Sequence, residues 1–278
     1  MALSLEALTA ALVAAIGAWL GFRCSRLPKP FWTVGYFVPL ALVALYGLAS
    51  SYPPLSFLPP ASWLLMGRHK FALLGFVIAM LLSTPLSRLT RKRDRLMVGL
   101  FMAVFIMVES VWPHLAPLAQ RHELALLKTD FRSDGVCRQT TSYTCGPAAA
   151  VTALRWLGLP AEEGKLSLLA ETSSAAGTSP DILAETLRKE YAKDGLIVQY
   201  RLFRNLAELR QAGLTLAVVK YGFLIDHFIT VLQVTDTEVV IGDPLVGVDR
   251  LSHDDFCQKW RYRGIVLSRE MLQRNSSP

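Results

Sequence analysis

Hydrophobic residues in the first part of the chain occur in long, almost unbroken runs. These runs cover Leu5–Phe22, Phe31–Ser50, Phe71–Leu86 and Leu96–Trp112. About 17–25 apolar residues in a helix cross the ~30 Å hydrocarbon core of a bilayer. A helix also pairs its backbone polar groups internally, which lipid requires. The pattern therefore predicts a transmembrane region with four helices over residues 1–113.

From residue 136 the pattern changes to short segments separated by turn residues. Helical spacing and end signals predict helices over Gly146–Leu157 and Glu163–Glu171, then from the cap Ser179 to Tyr191, and over Leu206–Gln211. Segments rich in β-branched residues predict strands at Leu196–Phe203, "LTLAVVKYG", "HFITVLQV", "EVVIGD" and "RGIVLSR". Helices that precede an antiparallel sheet indicate an α+β fold. We expect a connector over residues 114–135 and a globular domain over 136–278.

Composition and charge agree with this division of the chain. The sequence is 52% hydrophobic and 18% charged, which is too apolar for an ordinary soluble protein. The net charge of +7 lies entirely before Val136, because the remainder contains 16 Lys or Arg and 16 Asp or Glu. The basic balance therefore belongs to the membrane flanks, and nucleic acid is not an expected partner.

The basic residues also predict the orientation in the membrane. Five of them lie in the loop "SRLTRKRDR" between the third and fourth runs, and Arg23, Arg26 and Lys29 lie between the first and second. Loops rich in Lys and Arg stay in the cytoplasm. We therefore expect a multi-pass protein of the bacterial inner membrane with its C-terminal domain outside the cytoplasm.

The four cysteines indicate neither a disulfide-rich scaffold nor a metal site. They are Cys24, Cys137, Cys145 and Cys257, with no CxxC pair and no histidine-rich partner segment. We expect no metal and no cofactor. An extracytoplasmic domain permits a disulfide between Cys137 and Cys257, and we consider it as a hypothesis.

Cys145 is the candidate nucleophile. It stands at the start of the predicted helix in "CRQTTSYTCGPAAAVTALRWLG", where backbone N–H groups and the helix dipole favour a thiolate. Free cysteines are also often simply buried in a core, so position alone leaves both interpretations open.

A nucleophile of this kind needs a base, and the domain has two histidines. His253 lies in the polar segment "LSHDDFCQKW", where a surface role is expected, whereas His227 opens an apolar strand. If the hairpin turns about Asp236, antiparallel pairing brings Asp243 to the same face as His227, within side-chain reach. The rival acid, Asp226, points to the opposite face because side chains alternate along a strand. We therefore favour Asp243 as the group that orients His227.

Gln139, six residues before Cys145, supplies a candidate oxyanion donor together with the backbone N–H of Cys145. The segments "QTTSYTCGPAAAVTALRWLG", "DHFITVLQV" and "VIGDPLVG" resemble the papain-like cysteine peptidases of family thirty-nine, which include bacteriocin-processing domains that cut after double-glycine leaders. The resemblance implies Cys145 as nucleophile, His227 as base and acid, Asp243 as orienting residue and Gln139 as oxyanion donor. It also implies a papain-like fold for the domain. Many members have an aspartate where this chain has Thr144.

We therefore expect a membrane-anchored cysteine peptidase that acts on a peptide or protein substrate. An amidase or an acyltransferase uses the same thiol chemistry and remains an alternative, as does a non-catalytic peptide-binding sensory domain. The expected partners are the substrate and the lipid bilayer. No GxxxxGK[ST] loop occurs, so we expect no ATPase domain in this chain.

Overall fold

The computed structural model describes residues 2–56, 58–59, 62, 68–222 and 225–269. The chain divides into two compact units, Met1–Ala119 and Gln120–Pro278. The first unit is helical. The second contains helices and an antiparallel sheet, so the chain as a whole is α+β.

The described helices of the first unit follow the four apolar runs of the sequence. Three stretches are long and apolar enough to cross a membrane, namely Leu3–Ser25, Phe31–Ser50 and Lys92–Ala119. The helices are α1 (Ala2–Ser25), α2 (Val34–Ser51), α3 (Pro53–Ser56), α4 (His69–Ser83), α5 (Lys92–Ile106) and α6 (Trp112–Ala119), with the π-helical turn Met107–Val111 joining the last two.

The third predicted span corresponds to α4, which has 15 residues. A helix of this length extends about 22 Å at 1.5 Å per residue, which is less than the ~30 Å hydrocarbon core. It ends just before Pro85, which has no N–H to continue the helical ladder, and a short 3-10 turn over Leu86–Arg88 follows. This helix is the shortest of the four apolar segments and carries many of the unit's buried residues.

Small residues let α1 and α4 pack closely. A Cβ atom added to Gly17 of α1 would lie 2.5 Å from the backbone oxygen of Phe76 in α4. One added to Gly21 would meet the backbone of Met80. Glycines at these positions allow the two backbones to approach each other, as in many packed membrane helices.

The second unit contains one six-stranded antiparallel sheet and one two-stranded sheet. The order of the large sheet is β3-β8-β4-β5-β6-β7, and β1 pairs with β2. The strands are β1 (Asp130–Phe131), β2 (Cys137–Arg138), β3 (Leu196–Leu202), β4 (Thr215–Gly222), β5 (Ile225–Val234), β6 (Glu238–Asp243), β7 (Gly247–Ser252) and β8 (Trp260–Arg269). The helices are α7 (Arg121–Ala125), α8 (Cys145–Trp156), α9 (Glu163–Leu169), α10 (Pro180–Glu190), α11 (Leu206–Ala212) and α12 (His253–Lys259).

Two hydrophobic cores form, because side chains alternate along each strand. The first core joins α8, α9 and α10 to residues such as Val218, Phe228 and Ile265 of the large sheet. The second joins α11 and α12 to residues such as Ile229 and Ile241. In each core, helices pack on one face of the large sheet. The side chains on both faces of the sheet are therefore buried.

The helices and strands predicted for this unit are all present, with ends that differ by a few residues. Three short strands were not predicted. Two of them, β1 and β2, pair through Phe131 and Cys137, so part of the predicted connector 114–135 takes part in a sheet. The third, β7, has the sequence GVDRLS. Its Asp and Arg make this segment resemble a polar loop more than a strand.

The hypothesis of a disulfide between Cys137 and Cys257 is wrong. All four cysteines are free. Cys137 is buried in the first core, whereas Cys257 packs against the second. Separate cores hold the two thiols, so no bond joins them.

Candidate active site

The β5–β6 hairpin brings His227 and Asp243 together. Nε2 of His227 lies 2.8 Å from Oδ1 of Asp243, and both side chains are largely buried. The register pairs Thr230 with Gly242, as mirroring about Asp236 predicts. The register shifts by one residue nearer the turn, and this irregularity leaves the pairing next to the site unchanged.

The environment of His227 favours the protonated ring. Burial lowers its pKa, but the hydrogen bond with Asp243 and a further one with Cys145 outweigh burial and raise the pKa to about 9. Because Asp243 engages Nε2, the other ring nitrogen, Nδ1, is left for the thiol. The ring therefore links the carboxylate to the cysteine.

Cys145 is the first residue of α8 and is partly exposed. Its backbone N–H belongs to the first turn of the helix, and N–H groups in the first turn have no carbonyl acceptor within the helix. Gly146 follows in a tight position, since an added Cβ would lie 3.0 Å from Thr178 and 3.3 Å from Phe228. A larger residue there would displace the helix end that carries the thiol.

Gln139 lies in the loop between β2 and α8 and is held from two sides. Its backbone N–H donates to the carbonyl of Pro244 at 3.2 Å, and its side-chain Nε2 donates to the carbonyl of Thr141 at 2.8 Å. The amide nitrogen carries two hydrogens, so this bond leaves a second N–H. Oε1 is buried and has no partner among the described residues.

The turn after Asp243 connects the carboxylate with the loop of Gln139, because Pro244 in this turn accepts the N–H of Gln139. Oδ1 of Asp243 also accepts the N–H of Leu245 at 2.8 Å, which fixes the carboxylate. Arg132 donates to the carbonyl of Leu245, and Asp134 accepts the N–H of Val248 at 2.8 Å. Residues between β1 and β2 therefore brace the turn that carries the acid. Sequence reasoning missed this brace, because nothing local links residue 132 to residue 245.

The other titratable candidates have different partners. Asp226, the rival acid, bonds to Arg261 and Arg263, each at 2.8 Å. His253 opens α12, and its Nε2 lies 3.1 Å from the carbonyl oxygen of Thr235. In the part of the chain that the structure describes, no group of three or more His, Cys, Asp or Glu side chains is arranged to hold a metal ion.

Tyr221 is a neighbour of the site that the sequence did not single out. Its ring centroid lies 5.6 Å from that of His227, and about two thirds of the residue is exposed. The pairing of β4 with β5 is irregular between Lys220 and Gly222. Irregularities of this kind re-aim a side chain, which accounts for a tyrosine turned toward the histidine.

Comparison with known proteins identifies this domain. Residues 134–271 match the model of the Peptidase C39 family. The C-terminal domain belongs to the Peptidase C39 family. Members are cysteine peptidases, so the domain is cysteine-peptidase-like, and the chain combines a Peptidase C39 domain with a helical unit that has three candidate membrane spans.

Two uncharacterized archaeal proteins are similar to this chain. One, from Methanothermobacter marburgensis, is 29% identical over 144 residues, which cover 52% of this chain and 95% of that protein. The other, from Methanothermobacter thermautotrophicus, is 26% identical over 147 residues, which cover 53% and 97%.

Two solved structures are also similar. The peptidase domain of Streptococcus ComA, a bifunctional ABC transporter involved in a quorum-sensing pathway, is 22% identical with a TM-score of 0.43, covering 48% of this chain and 96% of that one. A double glycine motif protease from an AMS/PCAT transporter, solved with its leader peptide, is 15% identical with a TM-score of 0.42, covering 51% and 94%.

Proposed function

We propose that this protein is a membrane-anchored cysteine peptidase that hydrolyses peptide bonds at Cys145. The observation that carries the proposal is the 2.8 Å hydrogen bond between His227 and Asp243, made while the same ring also bonds to the thiol of Cys145. Membership of the domain in the Peptidase C39 family supports the same chemistry.

The first half of the reaction forms an acyl-enzyme. Next to a protonated His227, Cys145 acts as a thiolate, and its sulfur attacks the carbon of the scissile carbonyl. The electron pair of the C=O bond moves onto the oxygen, which accepts hydrogen bonds from the N–H of Cys145 and from Nε2 of Gln139. When the oxyanion collapses, the C–N bond breaks and His227 gives its proton to the leaving amine. The product remains as a thioester on Cys145.

The second half releases the acyl group. His227, now neutral, takes a proton from water, and the resulting hydroxide attacks the thioester carbon. The second tetrahedral oxyanion uses the same two donors. As it collapses, the C–S bond breaks, the sulfur leaves as thiolate, and the peptide departs with a new carboxylate. Asp243 keeps Nε2 of His227 engaged throughout, so the other ring nitrogen stays aimed at the sulfur.

We infer the orientation from the basic loops of the helical unit. Arg88, in the loop after α4, donates to the carbonyl of Ser25 at 3.3 Å and lies over the ring of Trp32 at 4.3 Å. The basic loops after α1 and after α4 are therefore together at one end of this unit. By the positive-inside rule that end is cytoplasmic. Because both basic loops lie at that end, α2 and the short α4 each cross the bilayer, which local thinning of the bilayer allows. Four crossings then leave the Peptidase C39 domain on the opposite side.

A membrane-impermeant maleimide tests the orientation. Thr90→Cys and Thr237→Cys are a matched pair of exposed threonines, the first in the basic loop and the second in the β5–β6 turn. The background lacks Cys24, Cys145 and Cys257 and keeps the buried Cys137. Labelling of the variant at 237 alone on intact cells supports the orientation, and labelling at 90 alone refutes it.

Comparison of peptide termini tests the reaction itself. Membrane fractions from cells with the wild-type protein, Cys145→Ala and the control Cys257→Ala are searched for new termini. We expect a set of new termini that is present with the wild-type protein and the control and absent with Cys145→Ala. The sequences of these termini identify the cleaved bond. Modified amides or transferred acyl groups without new termini would instead favour an amidase or an acyltransferase.

A further inference from the structure

We propose that Glu163 is a positioning residue, which holds the loop of Gln139 so that its amide meets the developing oxyanion. This inference rests on the proposed function, because it concerns the same site. Sequence reasoning assigned Glu163 only to the start of a helix. In the structure its side chain is completely buried, which is unusual for a glutamate.

The carboxylate of Glu163 binds one residue of the loop with both oxygens. Oε1 accepts the backbone N–H of Thr140 at 2.8 Å, and Oε2 accepts its hydroxyl at 2.6 Å. Hydrogen bonds to a charged acceptor are shorter and roughly twice as strong as neutral ones. This bidentate contact fixes both the backbone and the side chain of Thr140.

The start of α9, which carries Glu163, is itself held in place. The backbone N–H of Glu163 donates to the hydroxyl of Thr129 at 2.9 Å. The next residue, Gly164, leaves no room for movement, since an added Cβ would lie 2.7 Å from the carbonyl oxygen of Leu124 and 3.0 Å from that of Leu127. The start of α9 is thus pressed against the end of α7, and the carboxylate is a fixed anchor.

The position of Thr140 makes this anchor relevant to catalysis. Gln139 immediately precedes it and is bonded on its other side to the carbonyl of Pro244, next to Asp243. The residues from 139 to 144 form neither helix nor strand, so no ladder of hydrogen bonds orients them. Glu163 on one side and Pro244 on the other therefore position the Gln139 amide.

Stability alone is a poor explanation for a buried carboxylate. Its desolvation is expensive, and apolar residues of similar volume are often at least as stabilising. The contact of Glu163 with Thr140 fixes the geometry of the Gln139 loop, and this role explains why a charged side chain is buried here.

The test compares two reactions of Cys145 in the full chain in detergent. Acylation by a p-nitrophenyl ester of an N-acylglycine passes through an oxyanion and needs its donors. Alkylation by iodoacetamide displaces iodide at a saturated carbon and forms no oxyanion. The variants are Glu163→Ala, the conservative Glu163→Gln, and Glu162→Ala as a control at the adjacent exposed glutamate.

We expect Glu163→Ala to slow acylation by about 10²-fold, as displacement of a catalytic group by an ångström does. Alkylation should stay within about twofold of wild type, since the Cys145–His227 pair is untouched. Glu163→Gln can still accept the N–H of Thr140 and donate to its hydroxyl, so acylation should recover to within several-fold. Glu162→Ala should match wild type in both reactions.

Unchanged acylation in Glu163→Ala would overturn the inference, and so would an equal loss of acylation and alkylation, which indicates general loosening. If Glu163→Ala does not fold, Thr140→Val removes one of the two contacts and should slow acylation alone by a smaller factor. Wild-type acylation no faster than that of Cys145→Ala would instead overturn the proposed function, and the inference with it.

Discussion

The two units of this protein sort large and small apolar residues in opposite ways. On α1, Leu5, Leu8 and Leu12 are exposed, whereas Ala10 and Ala14 are buried. In the Peptidase C39 domain the cores contain large residues, among them Trp260 and Phe256, and these are buried together with small ones. The membrane location that we propose for the helical unit explains the difference. Lipid accepts large apolar side chains, so close packing of small residues holds membrane helices together, whereas water drives large side chains inside.

The two units also contain comparable histidine–carboxylate pairs. In the helical unit, Nδ1 of His114 lies 3.3 Å from Oε2 of Glu6, and Arg68 lies 3.9 Å from the same oxygen. In the Peptidase C39 domain, His227 bonds to Asp243 and also to the thiol of Cys145. The two pairs differ in that His227 also bonds to a thiol, which we propose to be the nucleophile, and the predictions below test that difference.

The largest effect should come from replacing the two histidines in parallel. His227→Ala removes the proton donor and acceptor of the site, and kcat/KM for a peptide substrate should fall by about 10⁴-fold. His114→Ala should leave kcat/KM within about twofold, because no nucleophile bonds to His114 among the residues that the structure describes. Both are measured on purified protein in detergent, and equal losses in the two variants would mean that the comparison between the pairs is wrong.

Removal of Gln139, the oxyanion donor that we propose, should have the next largest effect. Gln139→Ala should lower kcat by about 10²–10³-fold with little change in KM, because the interaction strengthens only in the transition state. Steady-state kinetics separate the two constants. Gln199→Ala, the same substitution at an exposed position of β3 away from the site, serves as the control. A rise in KM with unchanged kcat would show that Gln139 binds substrate rather than the oxyanion.

The pH dependence should follow the raised pKa of His227. Its hydrogen bonds with Asp243 and Cys145 stabilise the protonated ring, so the ring stays charged up to about pH 9. The folded-state pKa lies above the ordinary 6.5, so the stabilising charge is fully present below pH 6.5 and is lost as pH rises through 9. Activity should therefore decline through pH 9, because the leaving amine loses its proton donor. A profile of kcat/KM that instead rises through pH 6.5 and stays flat above it would contradict this assignment.

The smallest effect on catalysis should come from the helical unit. Gly17→Leu introduces a side chain where α1 meets α4, and overpacking of this kind costs about 1–3 kcal/mol. Gly99→Leu is the matched control, since no atom of the described residues lies within 4 Å of its added Cβ. We expect Gly17→Leu alone to lower the thermal stability of the helical unit, with kcat of both variants close to wild type. A loss of kcat in Gly17→Leu with no change in stability would assign the helices a part in catalysis.

Local patterns were enough to predict several parts of this fold. Runs of apolar residues marked the helices of the first unit, and turn residues around Asp236 gave the hairpin that pairs Thr230 with Gly242. The hydrogen bond between His227 and Asp243 follows from that register. Each of these features depends on residues that are close in sequence or related by one turn.

Features that depend on distant segments were not predictable. Glu163 resembles any exposed glutamate at a helix start, and only the folded chain shows it bonded to Thr140. The brace from Arg132 to Leu245 joins residues that are 113 positions apart. The length of α4 was also overestimated, because the apolar run continues past the helix end at Ser83. Sequence patterns report what a segment prefers, whereas these contacts depend on where the segments meet.

The most direct test of the central claim is the site at which a peptide-derived electrophile reacts. The full chain in membranes is treated near pH 7 with a peptidyl electrophile that traps nucleophilic thiols, and the modified residue is identified by mass spectrometry. Burial raises the pKa of both Cys137 and Cys257, so these thiols serve as internal controls. We predict modification at Cys145, with loss of modification in His227→Ala and in Asp243→Asn. Equal modification of Cys257, or labelling of Cys145 that is unchanged by the loss of His227, would contradict the assignment of this site.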